Sequence, residues 1–590
     1  MVINRLFDIP YFQLKNYKQS DALAEKINGE WKLHSTENLI ASFNKVSTAF
    51  LEMGVQPNDK IAIIANNRPQ WNFIDFGLLQ IGAINVPLYP NISEQEYEFI
   101  FNDADVKYVF VSTKEIADKV ANIKNKTKSL IDIYSFDKIE GVKYWEEIFD
   151  YIKKDRSDDI KKIADNIKPN DLATIIYTSG TTGTPKGVML SHNNIASNVK
   201  ACLPLLPVGE NDKAFSFLPM NHVFERMLVY LYMSAGLSVY YAESIDAISD
   251  NLKEVKPHIF GTVPRLLEKV YDKIYAKGLE LNGIKKALFF WALNLGLKYE
   301  YNGENGWWYE TQLKLANKLI FNKWREALGG NIRTIVTGGA ALQDRLAKVF
   351  TAGGIPIQQG YGLTETSPVI AVNRCLDTKK RYFGTVGPLI DGVEVQIAED
   401  GEILCKGPNI MLGYYKRQDL TKEAVIDGWF HTGDIGEFIE KNGNQFLKIT
   451  DRKKEMFKTS GGKYCAPQPI ENKLKEDTLI EEIMVVGEGE KFVAALIVPA
   501  MDNLKEWCAH KKLDCNDNES ICQNADVIAK YRKIIDKYNP QFSHVEQIKK
   551  FKLIPQSWTV ETGELTPTMK LKRKVIKEKF KEQLEKLYRG

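Results

Sequence analysis

Residues 172–187 read LATIIYTSGTTGTPKG, a strand pattern followed by a segment rich in glycine and hydroxyl side chains. The apolar run Leu172–Tyr177 predicts a buried strand. Glycines let backbone N–H groups approach phosphate oxygens, hydroxyls add hydrogen-bond donors, and Lys186 supplies a compact positive charge. The segment is not a Walker A loop, because Pro185 precedes the lysine and Gly187 follows it. It therefore predicts a phosphate-binding loop of another kind.

Apolar runs separated by helical patterns extend on both sides of this loop. Further strands are predicted at Lys60–Ala65, Ala83–Leu88, Val106–Val111, Lys213–Leu218, Leu237–Tyr241, His258–Val263, Ile332–Val336 and Ile355–Gln358. A helix is predicted over Gln70–Gly82, and a capping box at Ser93–Glu96 opens another. Strands alternating with helices indicate an α/β fold of layers with largely parallel sheets, which bind ligands at the carboxyl ends of their strands.

Three changes in this pattern divide the chain. Long helical patterns from about 268 to 330 predict a helical insertion in the α/β layer. After Gly384, short strands and the hairpin signals Asp400-Gly401 and Asn442-Gly443 predict a β-rich subdomain, about 384–450. The last stretch, after about Lys454, is smaller and mixed α/β. We therefore predict a large N-terminal domain, residues 1–453, and a small α+β C-terminal domain, residues 454–590.

Composition excludes several classes of protein. The chain has 590 residues, 44% of them hydrophobic and 26% charged, which is typical of a globular protein rather than a disordered one. Its 79 Lys+Arg and 76 Asp+Glu give a net charge of +3, which provides no support for nucleic-acid binding. No window has about 18 uninterrupted apolar residues, and the N-terminus shows no secretory signal. The expected location is therefore cytoplasmic.

The spacing of candidate ligands argues against a zinc site and a calcium site. Seven cysteines form no disulfide framework. Cys508, His510, Cys515 and Cys522 cluster without the paired C-x-x-C spacing of a zinc site. A calcium loop starting at Asp514 would need Gly and Glu where Glu519 and Ala525 stand.

The C-terminal stretch 549–590 has a local net charge of +7, for which a solvated helix end is favoured over an anion-handling surface.

Further motifs follow the glycine-rich segment in a fixed order. They are Gln359–Thr366, Gly428–Asp434, Asp451–Glu455, Ser460–Tyr464 and Pro567–Lys570. Together they resemble the adenylate-forming family, which includes acyl- and aryl-CoA synthetases, luciferases and peptide-synthetase adenylation domains. The resemblance spans most of the chain and implies that the C-terminal domain is mobile.

The resemblance implies an ATP site with a Mg²⁺ ion. Gly339, Ala340 and Ala341 would form a flat wall against adenine, with Tyr361 stacking opposite. Asp434 would accept from the ribose hydroxyls with help from Arg452, and Thr181 and Glu365 would hold the metal, which prefers oxygen ligands. The full ATP-binding set comprises Thr178, Ser179, Gly180, Thr181, Thr182, Gly183, Thr184, Gly339, Ala340, Ala341, Gln359, Gly360, Tyr361, Gly362, Thr364, Asp434 and Arg452.

The resemblance also implies catalytic and CoA-binding residues. Lys570 would orient the substrate carboxylate and stabilise the transition state. Lys186 and Glu365 are the other catalytic residues that the resemblance implies. His222 is either a catalytic residue near the carboxylate or a structural histidine. Lys454 is the expected hinge of a domain rotation that withdraws Lys570. The residues expected to line the CoA path are Gly461, Gly462 and Lys463. Met569 departs from the family pattern, in which Gly commonly precedes the lysine.

Three segments resemble the long-chain fatty acyl-CoA synthetases within this family. They are Leu218–Arg226, Lys463–Asn472 and the end of the helical insertion, Arg325–Gly330. The implied reaction converts a fatty acid, ATP and CoA into acyl-CoA, AMP and pyrophosphate. Two alternatives remain: transfer of the acyl group to another acceptor such as a carrier-protein thiol, and a catalytically silent binding protein. A lipid-partitioning substrate is compatible with peripheral membrane contact, and the sequence indicates no oligomeric state.

Overall fold

The chain divides into two compact units. The computed structural model describes residues 2–179, 185–513, 517–560, 562–566 and 569–589. The larger unit comprises Met1–Val395, Cys405–His431 and Ile439–Leu447. The smaller unit comprises Gln396–Leu404, Thr432–Phe438 and Lys448–Gly590. The predicted domain boundary at residue 453 stays a prediction.

Two eight-stranded sheets form the larger unit. The strands of the first, in order across the sheet, are Gly413–Tyr414, Pro185–Ser191, Leu172–Ser179, Ile84–Pro87, Lys60–Ile64, Val106–Val111, Asp132–Ser135 and Lys143–Tyr144. Those of the second are Val369–Val372, Ile357–Gly362, Thr334–Thr337, Ile259–Thr262, Lys213–Ser216, Ser238–Tyr241, Leu23–Ile27 and Glu30–His34. Each sheet is parallel in its centre and antiparallel at one edge or both. The predicted α/β class with largely parallel sheets is confirmed.

Helix Pro69–Leu79 lies between the two sheets and bonds to both. Its Asp75 accepts from Asn85 Nδ2 of the first sheet at 2.7 Å. Its Asn72 accepts from Tyr241 Oη of the second sheet at 2.5 Å. Almost every side chain of this helix is buried, because the sheets cover it from both sides. Outside residues 264–327, the other described α-helices of the larger unit are Asp8–Asn16, Thr36–Glu52, Glu94–Ala104, Lys114–Ile123, Ser157–Asn166, His192–Cys202, Val223–Ser234, Ile248–Val255, Asp344–Ala352 and Gln418–Ala424.

A run of helices separates two adjacent parallel strands of the second sheet, Ile259–Thr262 and Thr334–Thr337. It consists of Pro264–Glu280, Gly283–Leu297, Gly306–Ala316, the π-helix Asn317–Phe321 and Asn322–Ala327. Its inner face packs on Val349 and Phe350 of helix Asp344–Ala352 through an aromatic and aliphatic cluster. We call this segment, residues 264–327, the helical insertion.

A sheet of mostly short strands follows the second sheet in the sequence. Glu394–Ile397, Glu402–Lys406, Trp429–Lys441 and Val425–Ile426 form a sheet in that order, and Asn444–Arg452 also pairs with Trp429–Lys441. Asn442 and Gly443 both have positive φ, as a tight hairpin turn requires. The predicted hairpin at this position is confirmed.

The smaller unit also contains a three-stranded sheet. Strand Val493–Pro499 lies between Ile480–Val486, which is antiparallel to it, and Ile548–Leu553, which is parallel. A two-stranded ribbon, Phe457–Lys458 with Tyr464–Cys465, precedes it. The helices of this unit are Pro467–Leu474, Met501–Lys511, Asn518–Gln523, Ala525–Tyr538, Arg573–Lys579 and Lys581–Arg589. Within the described ranges, no helix is both long and apolar enough to cross a membrane.

Candidate functional site

Two paired strands of the first sheet flank the glycine-rich segment in the sequence. Strand Leu172–Ser179 runs antiparallel to Pro185–Ser191, with Thr178 opposite Lys186. The predicted ATP-binding residues Gly180, Thr181, Thr182, Gly183 and Thr184 lie outside the described residues, as does the side chain of Ser179. Lys186 is thus a strand residue, which the loop pattern did not predict.

Tyr414 brings Lys186 and Glu365 together, although they are far apart in the sequence. The Lys186 ammonium lies 5.3 Å from the centre of the Tyr414 ring. The Tyr414 hydroxyl donates to Glu365 Oε1 at 2.9 Å. Burial raises the pKa of the Tyr414 hydroxyl well above its usual value, and the Glu365 charge raises it further. Tyr414 therefore stays a hydrogen-bond donor that holds the Glu365 carboxylate.

Strand pairing explains how Tyr414 reaches this position. Gly413–Tyr414 adds to the edge of the first sheet, where Tyr414 faces Val188 and Gly413 faces Met189. The backbone N–H of Met411 also donates to the carbonyl of Glu365 at 2.9 Å. The sequence offered no signal for Tyr414, since a two-residue edge strand has too short a pattern to recognise.

The motif Gln359–Thr366 begins within a strand of the second sheet that lies next to its edge strand. Gln359, Gly360, Tyr361 and Gly362 end the strand Ile357–Gly362, and Thr364 and Glu365 lie on the short 3₁₀ helix that follows. A Cβ atom at Gly362 would stand 1.6 Å from the carbonyl oxygen of Pro368. Only glycine fits there, because the returning chain passes against the backbone.

The small residues Gly339, Ala340 and Ala341 lie just beyond the neighbouring strand. Thr337, the last residue of that strand, pairs in parallel with Gln359. Both strands therefore end at the same edge of the sheet, as the predicted adenine wall and the Tyr361 motif require. Gly339, Ala340 and Ala341 are exposed, and Tyr361 is half-buried.

His222 caps the helix Val223–Ser234. Its Nδ1 accepts from the backbone N–H of Phe224 at 3.1 Å, so a neutral ring carries its proton on Nε2. The structure therefore shows a capping role for this residue, while its catalytic role stays a prediction.

A buried ion pair anchors the helix that His222 caps. Arg226 donates to Asp75 Oδ1 at 2.5 Å and to Thr174 Oγ1 at 2.8 Å. Asp75 also accepts from the Tyr230 hydroxyl. The Arg226 side chain is 1% exposed and that of Asp75 is fully buried. The pair thus ties the helix to the first sheet and to helix Pro69–Leu79.

Glu225, next to this pair in the sequence, is a buried acid to which the sequence motifs assign no role. Burial raises its pKa to about 8, against a smaller lowering effect of Ser216. A carboxyl with this pKa is mostly protonated at pH 7.

In the smaller unit, Asp434 and Arg452 form an ion pair on neighbouring strands. Arg452 Nε lies 3.1 Å from Asp434 Oδ1, and Asp434 is buried. The Asp434 N–H donates to Thr432 Oγ1 at 3.1 Å. The two strands therefore bring together Asp434 and Arg452, which the family resemblance assigns to binding of the ribose hydroxyls.

The predicted CoA-path residues form an exposed turn in the smaller unit. Gly461, Gly462 and Lys463 connect the two strands of the ribbon, and Gly462 has a φ of +74°. The N–H of Thr459 donates to the carbonyl of Lys463 at 3.0 Å and closes the turn. Lys454 lies in an exposed turn after strand Asn444–Arg452.

Lys570 lies in a tight backbone loop of the smaller unit. Its N–H donates to Thr566 Oγ1 at 3.0 Å, and its carbonyl accepts from the N–H of Thr566 at 2.8 Å. Met569 has a φ of +61°, a left-handed conformation that glycine adopts at least cost. This explains why glycine suits the position before the lysine. Pro567 and Thr568 lie outside the described residues.

Two family models match the chain. The AMP-binding enzyme model covers residues 12–415, and the model of the AMP-binding enzyme C-terminal domain covers residues 455–590. The chain belongs to the AMP-binding enzyme family. Within this family it is 32% identical over 569 residues to the long-chain-fatty-acid–CoA ligase FadD15 of Mycobacterium bovis, covering 95% of this chain and 93% of the relative.

Other members of the AMP-binding enzyme family are similar over most of their length. The long chain acyl-CoA synthetase 2 of Arabidopsis thaliana is 32% identical over 592 residues, covering 92% of this chain and 85% of the relative. Among solved structures, the A domain of the carboxylic acid reductase from Segniliparus rugosus, in complex with AMP and a co-purified carboxylic acid, superimposes with a TM-score of 0.74. That match has 20% identity and covers 99% of this chain and 94% of the other, so it shows the fold alone.

Proposed function

We propose that this AMP-binding enzyme is a long-chain fatty acid–CoA ligase that forms AMP. The observation that carries the proposal is the 32% identity, along 95% of the chain, to a relative named as a long-chain-fatty-acid–CoA ligase. The paired strands that present Lys186, with Glu365 held beside Tyr414, support a phosphate-handling site in the larger unit.

The first half-reaction activates the acid. A carboxylate oxygen of the fatty acid attacks the α-phosphorus of ATP, and the bond from that phosphorus to the bridging oxygen of pyrophosphate breaks. Acyl-AMP and pyrophosphate result. Lys186 and Lys570 would stabilise the negative charge that develops on the phosphate and carboxylate oxygens.

The second half-reaction transfers the acyl group. The CoA sulfur attacks the acyl carbonyl carbon, the bond from that carbon to the AMP oxygen breaks, and the thiol proton passes to solvent. AMP leaves with both electrons of that bond. We propose that Gly461, Gly462 and Lys463 line the pantetheine path and that Lys454 is the hinge of the rotation between the two steps.

The residues at Glu365 fit a magnesium ion. The Glu365 carboxylate is half-buried, and only its Oε1 is engaged by Tyr414. A hard cation prefers such oxygen ligands, and Mg²⁺ is commonly held by one or two carboxylates together with substrate phosphates. When bound, the ion would neutralise the phosphate charge. Thr181, the other predicted ligand, lies outside the described residues.

Release of pyrophosphate that depends on the acid tests the proposed function. Short, medium, long-chain and aromatic acids are compared with and without CoA. Strong turnover on long chains that depends on CoA is expected. A burst of pyrophosphate without stimulation by CoA would indicate another acceptor such as a carrier-protein thiol. No pyrophosphate release with any acid would favour the alternative of a catalytically silent binding protein.

We further propose a cytoplasmic location with peripheral membrane contact. The fatty acid substrate partitions into lipid, so an enzyme at the bilayer surface meets it at high local concentration.

A further inference from the structure

Two antiparallel helices of the helical insertion present apolar side chains to solvent. On Gly283–Leu297, Ile284 is 79% exposed and Leu288 is also exposed. On Gly306–Ala316, Trp307 and Trp308 are 78% and 60% exposed. We call the following residues the insertion face: Ile284, Leu288, Trp307, Trp308, Leu315 and Leu319.

Two hydrogen bonds fix the register of these helices. Tyr309 Oη donates to the carbonyl of Leu295 at 2.6 Å, and Trp291 Nε1 donates to Gln312 Oε1 at 3.4 Å. Residue numbers rise along one helix as they fall along the other, so the two helices are antiparallel. Continuing this register places Leu288 beside Leu315 and Ile284 beside Leu319, so the exposed side chains form one strip. From Trp308 to Leu319 the strip is about 16 Å long at 1.5 Å per residue.

Exposed apolar side chains are concentrated on and beside this face. Among the described residues, 21 large hydrophobic side chains are exposed, and seven of them lie between Leu279 and Leu319. The two exposed tryptophans of the described chain both belong to it. Scattered exposed apolar residues are ordinary, whereas a contiguous group marks an interaction surface.

The charges on the same helices are mostly positive. The two helices and the π-helix Asn317–Phe321 carry one acid, Glu310, and four lysines, Lys285, Lys286, Lys314 and Lys318. Lys285, Lys314 and Lys318 are exposed, and Lys286 is half-buried. Lysines beside leucine, isoleucine and tryptophan are typical of surfaces that lie in the headgroup region of an anionic bilayer.

We propose that the insertion face docks on the surface of an anionic lipid bilayer. Tryptophan favours the membrane–water interface, and the lysines would contact lipid phosphates while the apolar strip enters the acyl boundary. A second copy of the chain is a poorer occupant, because a symmetric pairing would bring the two sets of lysines together. The benefit of docking rests on the proposed function, since it brings the enzyme to a lipid-partitioned substrate.

Co-sedimentation of the full chain with vesicles tests the face. Vesicles of phosphatidylcholine, with and without phosphatidylglycerol, are compared for wild type, the double variant Trp307→Ser/Trp308→Ser and the double variant Lys314→Glu/Lys318→Glu. Wild type should prefer the anionic vesicles, and each double variant should lower the partition coefficient at least about tenfold.

Matched variants outside the face serve as controls. Ile245→Ser removes another exposed apolar side chain, which is 83% exposed. Lys161→Glu/Lys162→Glu makes the same charge change on helix Ser157–Asn166, where both lysines are exposed. Binding should be unchanged in both. Equal loss in these controls, or equal binding by wild type and the face variants, would overturn the proposal.

Two further outcomes separate this proposal from others. A concentration-dependent dimer in sedimentation velocity that Trp307→Ser/Trp308→Ser abolishes, without vesicle binding, would replace the bilayer by a second copy. Ligase activity on detergent-dispersed fatty acid reports the proposed function separately. Vesicle binding without ligase activity would support the face and contradict the proposed function, whereas activity without vesicle binding would do the reverse.

Discussion

At the residue scale, Tyr414 is the contact that the motifs alone did not contain. It lies 228 positions from Lys186 in the sequence, yet its ring faces that lysine and its hydroxyl holds Glu365. Under the proposed function, Tyr414 orients the carboxylate that we propose as a Mg²⁺ ligand, and such a side chain affects the chemistry without touching the substrate.

Tyr414→Phe should lower kcat about tenfold, because the lost hydrogen bond lets the Glu365 carboxylate rotate. The Mg²⁺ concentration for half-maximal activity should rise. Steady-state kinetics over a Mg²⁺ titration measure both, and Tyr415→Phe, on the neighbouring residue, is the control. An unchanged Mg²⁺ dependence in Tyr414→Phe would contradict the orienting role.

Arg226→Leu should lower the free energy of unfolding by about 3–5 kcal/mol, because it leaves the Asp75 carboxylate buried without its partner. The double variant Asp75→Asn/Arg226→Leu should lose less than the sum of the single changes. Denaturant unfolding of the four proteins measures the coupling, and strictly additive losses would rule out a direct interaction.

At the element scale, local signals predicted most strands and helices. Ser93 accepts from the N–H of Glu96, and the Glu96 side chain accepts in return, so the predicted capping box is confirmed. The strands Leu23–Ile27 and Glu30–His34 were missed, although Asn28-Gly29 is a hairpin signal and both residues have positive φ. These two strands lie at one side of the second sheet, with Glu30–His34 outermost, and their mixed polar and apolar composition does not resemble that of the buried strands.

Ser93→Ala should lower stability by about 1 kcal/mol, because an N–H at the start of helix Glu94–Ala104 loses its acceptor. Glu96→Gln keeps an acceptor at the other half of the box and should change little. Hydrogen exchange of the amides in this helix measures the effect. Equal protection in wild type and Ser93→Ala would show that tertiary packing alone holds the helix.

The end of strand Asn444–Arg452 carries a buried acid. Burial raises the pKa of Asp451 to about 7, although the N–H of Arg452 favours its charged form. Between about pH 4 and pH 7 the folded chain therefore holds a proton that the unfolded chain has released, so this group makes stability fall as pH rises through that window. Above about pH 7 the effect is complete.

Asp451→Asn should flatten this dependence. Relative to wild type, the variant should gain stability from pH 5 to pH 8, since the amide has no proton to lose. Unfolding free energies measured at intervals across that range provide the test. Parallel curves for the two proteins would show that the Asp451 pKa lies outside the window.

At the scale of the whole molecule, the proposed function assigns Lys570 to one half-reaction. Lys570→Ala should reduce pyrophosphate release by about a hundredfold or more, because the lysine charge acts on the forming acyl phosphate. Thioester formation from supplied acyl-AMP and CoA should stay near the wild-type rate. Lys574→Ala, a nearby exposed lysine, is the control. Equal loss of both half-reactions in Lys570→Ala would exclude the assignment.

The sequence by itself determined the α/β class, the positions of most strands, the hairpin at Asn442-Gly443 and the family. These depend on side-chain periodicity, on turn residues with positive φ and on motifs of adjacent residues, all of which are local. Gly362, where the chain passes close to the carbonyl oxygen of Pro368, belongs to such a motif as well.

Only the tertiary structure decided which distant residues meet. The edge strand that brings Tyr414 to Glu365, the Asp75–Arg226 pair and the joined strip of the insertion face each combine segments that are separate in the chain. Sheet order and helix register set these contacts through packing, and no local pattern encodes either. The physical reason is that a side chain's neighbours across a sheet or helix pair depend on the whole fold rather than on the residues beside it in the sequence.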